Sequence, residues 1–380
     1  MAMTLTQDEA LGRPNCLEVD LGAIAYNTGL TRKMAGPDTR IFAALKANAY
    51  GFGLVEVART VLTAGADALA MVDVEDAIEL REHGIRAPIL LYAGNLATNA
   101  FARAIEQYDL IPSVVDADAA MAYSYLVSRP IKTFVKVDVG LERNGTPAES
   151  TLDLIKVVCD LPHLKVEGVY THMHMPAEGG TEDYMQWQYD RFIGALKRLR
   201  DEKIDVPVQM AASSSILRMT GGMMLNAIDP GHVLYGLTPP GPAKLAIPFQ
   251  PAFRALKSRL VQVKEIRRTD FVEQAPFDIK GVHRMGVFPM GRADGIAALN
   301  CGQVLLHGRR ARMLGRPSLE HSRVDLTAIP EAAAGDEVVI IGSQGQAELS
   351  LHEVMAHQGM ERDLALALEV RSSVRRAYSR

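Results

Sequence analysis

Short apolar runs alternate with amphipathic stretches along the first two thirds of the chain. The apolar runs predict eight strands, over residues 41–46, 68–72, 88–92, 110–114, 133–138, 165–172, 207–211 and 227–229. Helical patterns lie between them, as over residues 54–64, 74–83, 97–107 and 184–202. Eight strands alternating with helices predict a parallel α/β barrel. An open doubly wound sheet is the alternative, but no G-x-G-x-x-G follows the first strand.

The pattern changes near Thr238, where T-P-P-G-P-A-K is typical of a linker. Beyond it, β-branched runs punctuated by glycine, such as G-D-E-V-V-I-I-G, predict a compact β domain up to about Gly345, followed by a helix over residues 350–367. The predicted fold class is therefore α/β, with two domains. Residues 16–240 form a TIM-type barrel, and residues 241–380, together with the N-terminal leader 1–15, form a smaller C-terminal β domain.

Composition excludes several classes of partner. A net charge of -4 gives no electrostatic footprint for nucleic acid. No apolar run approaches the roughly 20 residues of a membrane span, and the N-terminus lacks the features of a signal peptide. The cysteines at 16, 159 and 301 lie far apart, which suits reduced thiols in a cytoplasmic protein and predicts no metal site.

The stretch I-F-A-A-L-K-A-N-A-Y-G-F-G contains the first candidate for chemistry, Lys46. This lysine ends a run that predicts a buried strand. Burial lowers the pKa of an amine, and an amine of lowered pKa is suited to forming a Schiff base with a carbonyl group. The alternative is a strand-end lysine that simply reaches solvent.

Other polar side chains follow the later predicted strands, and the active sites of barrels lie at these strand ends. They are Tyr50, Lys136, Asp138, Arg143, His172, Ser213–Ser215, Asp229, Gly231 and Tyr235. Singly, each has a structural explanation: the serines as a helix cap, Asp229 as a turn residue, His172 as a core histidine. Together they offer an amine, a place for an anion and a carboxylate, which is the set that pyridoxal phosphate requires.

The chain resembles the alanine racemase family in K-A-N-A-Y-G, K-V-D-V-G-L-E-R and M-G-R-A-D-G, which occur in the family's order. The resemblance implies a pyridoxal phosphate barrel followed by a β domain. It implies that Lys46 binds the cofactor and that Lys136, often carbamylated in the family, and Arg143 lie near its phenolic oxygen. The other implied cofactor contacts are Tyr50, Ser213 and Gly231 at the phosphate, His172 beside the ring, and Tyr235.

Several positions depart from the family pattern, and two of them bear on the chemistry. Arg292 stands in G-R-A-D-G where the family has a tyrosine base from the partner subunit, and Asp229 replaces the arginine that faces the pyridine nitrogen. An arginine is too basic to act as a general base but binds carboxylates well, so Arg292 is predicted to bind substrate. Lys136 and Leu319 are the other predicted substrate contacts. Asp229 is predicted to protonate the pyridine nitrogen. His172, His174 or a water molecule remains to move a proton on the face opposite Lys46.

The resemblance thus predicts a pyridoxal-phosphate-dependent amino acid racemase that moves the Cα proton of a small or medium amino acid. It also implies a homodimer whose active sites are completed across the interface. A decarboxylase or retro-aldolase is the alternative, because Asp229 would stabilise the carbanion that all three reactions share. A binding protein that keeps the cofactor without turnover is the non-enzymatic hypothesis.

Overall fold

The structure is a computed structural model that describes residues 12–176, 181–219, 223–237, 244–267, 270–295, 302–351, 353–354, 370–371 and 373–380. The chain divides into two compact units. One is Leu21–Pro251, and the other combines Met1–Asp20 with Ala252–Arg380. The first strand, β1 (Cys16–Asp20), belongs to the second unit.

The unit Leu21–Pro251 is a barrel of parallel strands. Its strands are β2 (Arg40–Ala44), β3 (Ala68–Met71), β4 (Ile89–Leu91), β5 (Ser113–Val114), β6 (Ile131–Asp138), the short β7 (Thr146–Pro147), β8 (Leu164–Thr171), β9 (Val208–Ser213) and β10 (Ala227–Asp229). The sheet order is β4-β3-β2-β10-β9-β8-β6-β5, with β7 beside β6. A parallel bridge between Leu90 and Ile111 links β4 to the residues just before β5, so the barrel is nearly closed.

All eight predicted strands are present, and two of them are shorter than predicted for local reasons. The strand predicted over residues 41–46 stops at Ala44, because the chain turns sharply at Lys46. The strand predicted over residues 110–114 shortens to β5, where Pro112 lacks the N–H that a ladder requires.

Helices connect the barrel strands. They are α1 (Leu21–Ala35), the turn α2 (Lys46–Tyr50), α3 (Leu54–Thr63), α4 (Val74–Glu82), α5 (Asn99–Tyr108), α6 (Ala117–Leu126), α7 (Thr151–Asp160), α8 (Thr181–Asp201) and α9 (Ser214–Met219). The helices predicted over residues 54–64, 74–83, 97–107 and 184–202 are confirmed with small shifts at their ends.

Each barrel strand other than β7, or the residues just before it, contributes one or two side chains to the barrel interior. These are Phe42, Ala68, Ala70, Leu90, Ile111, Phe134, Tyr170, Val208, Met210 and Ala227. The ring of Phe134 fits because its neighbour Gly168 has no side chain: a Cβ there would lie 2.3 Å from the ring. The interior is therefore a packed core, and space for chemistry lies at the strand ends.

The second unit consists of β sheets. Its strands after β1 are β11 (Phe253–Arg259), β12 (Gln262–Glu265), β13 (Arg284–Phe288), β14 (Gln303–Leu306), β15 (Arg309–Arg312), β16 (Ser322–Asp325), β17 (Glu337–Gln344), β18 (Ala347–Leu349) and β19 (Arg375–Ser379). One sheet has the order β15-β14-β17-β11-β1-β19, with β18 paired to β17, and the other is β12-β13-β16.

The division into units differs from the predicted domains at both boundaries. Residues 16–20, predicted as part of the barrel, pair instead with β11 and β19. Residues 244–251, predicted as part of the β domain, belong to the barrel unit, where Gln250 exchanges two hydrogen bonds with Asn27 of α1 at 2.7 and 2.8 Å. The proline-rich segment that suggested the boundary lies outside the described residues over 238–243.

Two other predictions fall partly outside the described residues. Of the leader, residues 1–11 are not described, but Arg13 and Asn15 hydrogen-bond within the second unit, to Asp294 and Ser258. Of the helix predicted over residues 350–367, positions 352 and 355–367 are not described. Within the described part of the chain, no helix is long and apolar enough to cross a membrane.

Candidate active site

A left-handed turn follows β2 and carries the first two predicted site residues. Ala47, Asn48, Ala49 and Tyr50 all have φ between 53° and 55°, a region that costs non-glycine residues roughly 1–2 kcal/mol each. Consecutive left-handed residues are rare, and strain of this kind is concentrated at functional sites. The turn places Lys46 and Tyr50 at the carboxyl end of the barrel strand.

Local hydrogen bonds hold the turn in this conformation. The side chain of Asn48 accepts from the backbone N–H of Leu54 at 2.8 Å, at the start of α3. The carbonyl of Asn48 accepts from the N–H of Gly53 at 3.1 Å, and the N–H of Ala49 donates to the carbonyl of Leu45 at 2.8 Å. The turn is therefore tied both to the strand before it and to the helix after it.

Lys46 is half-buried beside two other charged groups. Burial lowers the pKa of its amine, Asp229 opposes that change, and Arg143 adds to it. The prediction that Lys46 is a partly desolvated amine of lowered pKa agrees with this environment. A larger fraction of the amine is thus neutral near physiological pH, which is the form that attacks a carbonyl carbon.

Asp229, the last residue of β10, is a buried carboxylate with one oxygen unpaired. The hydroxyl of Tyr92 donates to its Oδ2 at 3.0 Å, whereas no described residue donates to its buried Oδ1. Burial raises the pKa of Asp229 to about 7, and the hydrogen bond from Tyr92 and the charge of Lys46 oppose that change. A solvent-facing turn carboxylate would show none of these features. Oδ1 is an acceptor that a ligand N–H would satisfy.

Lys136 and Arg143 make the site strongly cationic. Lys136 is 5% exposed on β6, and its pKa is lowered to about 8, first by burial and then by Arg143. Asp138 holds the loop that carries Arg143, because its carboxylate accepts from the N–H of Gly140 at 2.9 Å and of Arg143 at 2.9 Å. Asp138 therefore positions the loop and is not a free carboxylate of the site.

The two histidines after β8 have different environments. His172 lies within electrostatic range of Lys46 and Lys136, and its pKa is lowered to about 3 by burial and then by these cations. His174 is exposed, and its ring packs edge-on against Tyr184 at 6.2 Å, while its backbone pairs with the side chain of Gln188. His172 is thus the histidine of the cluster, and it is neutral at physiological pH.

Tyr50 and Gly231 approach each other closely. A Cβ on Gly231 would lie 2.4 Å from the Tyr50 hydroxyl, so only glycine fits at this position. The N–H of Gly231 donates to the hydroxyl of Ser214 at 2.8 Å, and Ser213 before it is buried at the end of β9. The predicted phosphate-binding residues are therefore brought together, with Ser214 as an additional member.

Tyr235, which the resemblance placed among the cofactor contacts, is fully buried behind Tyr50. Its hydroxyl donates to the carbonyl of Ala44 at 3.1 Å, and its ring lies 4.9 Å from that of Tyr50. The ring of Phe52 also stacks against that of Tyr235, with centroids 5.0 Å apart. Tyr235 therefore supports Tyr50 in this structure, and its own polar group is already satisfied.

Sequence reasoning missed Tyr92 and Tyr170. Tyr92 follows β4 and donates to Asp229, and Tyr170 lies in the barrel core with its hydroxyl 2.9 Å from that of Ser113. Tyr92 stood at the end of a predicted strand, which is the signal that identified Lys46 and Asp229. The signal was present, but a tyrosine suits a buried strand end without any function.

Arg292 belongs to a turn of the second unit, and a buried carboxylate fixes that turn. Asp294 is 0% exposed, accepts from the N–H of Gly291 at 2.8 Å, and forms an ion pair with Arg13 at 2.7 Å. A carboxylate held this way fixes the backbone of the turn, while the side chain of Arg292 stays exposed.

Leu319 lies on a neighbouring loop that is bonded to the same turn. The N–H of Arg292 donates to the carbonyl of Ser318 at 3.0 Å, and that of Ala293 donates to the carbonyl of Leu319 at 2.7 Å. Leu319 is 61% exposed. The two residues predicted to bind substrate are thus neighbours on one exposed part of the second unit.

The cluster in the barrel fits pyridoxal phosphate. Lys46 offers an amine, Asp229 offers an unpaired oxygen for a ring nitrogen, and Gly231 leaves space beside a tyrosine hydroxyl. In the described ranges, no group of three or more His, Cys, Asp or Glu residues could hold a metal ion.

Known proteins resemble this chain over almost its whole length. The alanine racemase N-terminal domain matches residues 19–239, and the alanine racemase C-terminal domain matches residues 253–378. An alanine racemase from Desulforamulus reducens is 36% identical over 354 residues, covering 91% of this chain and 94% of the relative. One from Geobacillus stearothermophilus is 34% identical over 352 residues, covering 91% and 88%.

Solved structures agree with the sequence matches. The crystal structure of alanine racemase from Bacillus anthracis with bound L-Ala-P is similar at a TM-score of 0.85 and 27% identity, covering 98% of this chain and 96% of that one. These similarities give no support to the decarboxylase or retro-aldolase alternative. The chain belongs to the alanine racemase family of pyridoxal-phosphate-dependent isomerases.

Proposed function

We propose that the protein racemises a small amino acid, alanine being the first candidate, and that Lys46 moves the Cα proton on one face. One observation carries this proposal: Lys46 and Asp229 share a buried site at the barrel strand ends, with Asp229 Oδ1 left unpaired. The relatives named above are all described as alanine racemases, which supports the choice of alanine.

The bound cofactor supplies an electron sink for the electrons left at Cα. Lys46 would hold the cofactor, and Asp229 Oδ1 would bind its ring nitrogen. Lys136 and Arg143 would face its phenolic oxygen, because two cations stabilise negative charge on that oxygen. The phosphate would be held by Tyr50, Ser213 and Gly231.

Proton transfer on the opposite face requires a second group. His172 is neutral and near Lys46, so it is the candidate within the barrel unit, although a histidine with a pKa of about 3 is a weak base. Arg292 cannot serve as a base, and we assign it to the substrate carboxylate. We propose that it comes from the partner subunit of a homodimer, because the resemblance implies sites completed across an interface.

The test is proton NMR of cofactor-loaded protein in deuterated buffer with L- and D-alanine supplied separately. Racemisation predicts loss of the Cα proton signal and appearance of the opposite enantiomer. The variant Lys46→Ala should show neither change. Formation of an amine or an aldehyde without the enantiomer would contradict the proposal. Bound cofactor without any Cα exchange across a panel of amino acids would support the non-enzymatic hypothesis instead.

A further inference from the structure

We infer that Tyr92 is a positioning residue for the cofactor: it fixes the Asp229 carboxylate so that Oδ1 faces the ring nitrogen, and it keeps their shared proton on the nitrogen. The inference rests on the proposed function, in which Asp229 binds that nitrogen. It adds a residue that neither the sequence motifs nor the family resemblance identified.

The geometry of the pair carries the first part of the inference. Tyr92 and Asp229 are 137 residues apart in sequence, and β4 and β10 bring the phenol hydroxyl within 3.0 Å of Oδ2. A carboxylate with no partner can rotate about its last bond. A donor on Oδ2 restricts that rotation and leaves Oδ1 as the available acceptor, which is the atom left without a described partner.

Neighbouring groups hold Tyr92 in place. Its ring centroid lies 5.8 Å from that of Tyr170. The hydroxyl of Tyr170 in turn lies 2.9 Å from the hydroxyl of Ser113 and accepts from the N–H of Ala93 at 3.2 Å. Tyr170 thus anchors the backbone next to Tyr92. The control is therefore taken from elsewhere: Tyr189, a half-buried tyrosine of α8 outside this network.

The second part follows from acid–base chemistry. A hydrogen bond donated to a carboxylate stabilises its ionised form, so it makes the carboxylate a weaker base. A weaker base at Oδ1 leaves a shared proton on the ring nitrogen, whereas removing the donor moves that proton toward oxygen. Tyr92 would therefore favour the protonated ring without contacting it.

The experiment measures the nitrogen NMR shift of isotope-labelled pyridoxal phosphate in the holoenzyme. It compares the wild type, Tyr92→Phe, the control Tyr189→Phe, and Asp229→Asn as the reference for a ring without its carboxylate. We expect Tyr92→Phe to move the shift toward the unprotonated value and Tyr189→Phe to match the wild type. In apo protein, carbon NMR of the Asp229 carboxyl should show a higher pKa in Tyr92→Phe.

A second variant guards against poor folding of Tyr92→Phe. Fluorotyrosine at position 92 keeps the shape of the side chain and is a stronger hydrogen-bond donor, so it should lower the pKa of the Asp229 carboxyl. The same pKa as in the wild type would overturn the inference.

The outcomes separate this inference from the proposed function. If Asp229→Asn moves the nitrogen shift while Tyr92→Phe matches the wild type, the role of Tyr92 is wrong and Asp229 keeps its role. If Asp229→Asn leaves the nitrogen shift unchanged, Asp229 does not bind the ring, and both the inference and that part of the proposed function fail.

Discussion

Asp229 shows at the scale of one residue how burial sets the chemistry of the site. An ordinary aspartate is fully ionised at neutral pH, but burial raises the pKa of this one to about 7. Tyr92 and Lys46 limit the rise, so the carboxyl group stays able to exchange a proton near physiological pH. A group of this kind suits a partner that must share a proton with a ring nitrogen.

The raised pKa predicts how the stability of the apo protein depends on pH. The folded state keeps a proton that the unfolded state releases, so the free energy of unfolding should fall as pH rises from about 4 to about 7. Asp229→Asn removes this effect. Above pH 7 the free energy of unfolding of this variant should exceed that of the wild type by up to about 4 kcal/mol. Near pH 4 the two free energies of unfolding should be equal.

Urea denaturation of apo protein across this pH range measures the effect, with Asp138→Asn as a control of opposite sign. Burial raises the pKa of Asp138, but its backbone N–H donors together outweigh burial and lower it. The control should therefore lose stability at neutral pH and approach the wild type as pH falls below 4. A pH profile of Asp229→Asn identical to that of the wild type would contradict the burial account.

Sequence reasoning at this scale identified residues that carry charge. Lys46, Lys136 and Asp229 stood out because charged residues at the ends of apolar runs need an explanation. Tyr92 did not, because a tyrosine is compatible with a buried strand end whether or not its hydroxyl has a role. Its function depends on a contact between distant strands, and sequence spacing contains no information on that contact.

At the scale of elements, the site depends on two backbone features, the left-handed turn after β2 and the loop after β10. The turn positions Lys46 and Tyr50, and the loop brings Gly231 against the Tyr50 hydroxyl. In both features, the backbone conformation determines where the side chains of the site lie.

Gly231→Ala should weaken cofactor binding by at least about tenfold. The new Cβ would lie 2.4 Å from the Tyr50 hydroxyl, so Tyr50 must leave its place. Titration of apo protein with pyridoxal phosphate, followed by absorbance, gives the dissociation constant. The control is Gly29→Ala in α1, where a Cβ meets nothing within 4 Å and the affinity should be unchanged. Equal affinities in the two variants would show that Gly231 and Tyr50 do not hold the cofactor.

The sequence predicted the order and type of the barrel elements well, because each strand is a short buried apolar run. It could not predict the left-handed turn, since A-N-A-Y offers no glycine to mark positive φ. That conformation is imposed by bonds to Leu45, Gly53 and Leu54, which depend on the folded surroundings.

At the scale of the whole molecule, the chain places its proposed chemistry on two units. The cofactor cluster lies in the barrel, and Arg292 lies on an exposed turn of the second unit, fixed by Asp294. The proposal of a homodimer rests on the family resemblance, which implies that the partner subunit completes each site, and the exposed side chain of Arg292 is compatible with that role.

Mixing two inactive variants tests this arrangement. Lys46→Ala lacks the amine proposed to hold the cofactor, and Arg292→Ala lacks the proposed carboxylate ligand, so neither should racemise alanine efficiently alone. If sites are completed by the partner subunit, an equal mixture that has exchanged subunits should recover about one quarter of the wild-type activity. Mixed dimers without any recovery would show that Arg292 acts within its own chain or not at all.

The order of the elements was easier to predict from the sequence than the division into units. Residues 16–20 and 244–251 were attributed to the wrong units, because a strand's sheet is decided by long-range pairing. Cys16–Asp20 joins strands from the far end of the chain, β11 and β19, and no local pattern marks that partnership.

The proposed mechanism requires that Lys46, and no other lysine, binds the cofactor. Lys136 is the sharpest competitor, since it is buried in the same cluster and its pKa is lowered to about 8. Borohydride reduction of the holoenzyme, followed by peptide mass mapping, fixes the cofactor on the lysine that holds it. The account predicts the label on Lys46 alone and none in Lys46→Ala. A label on Lys136 in the wild-type protein would contradict it.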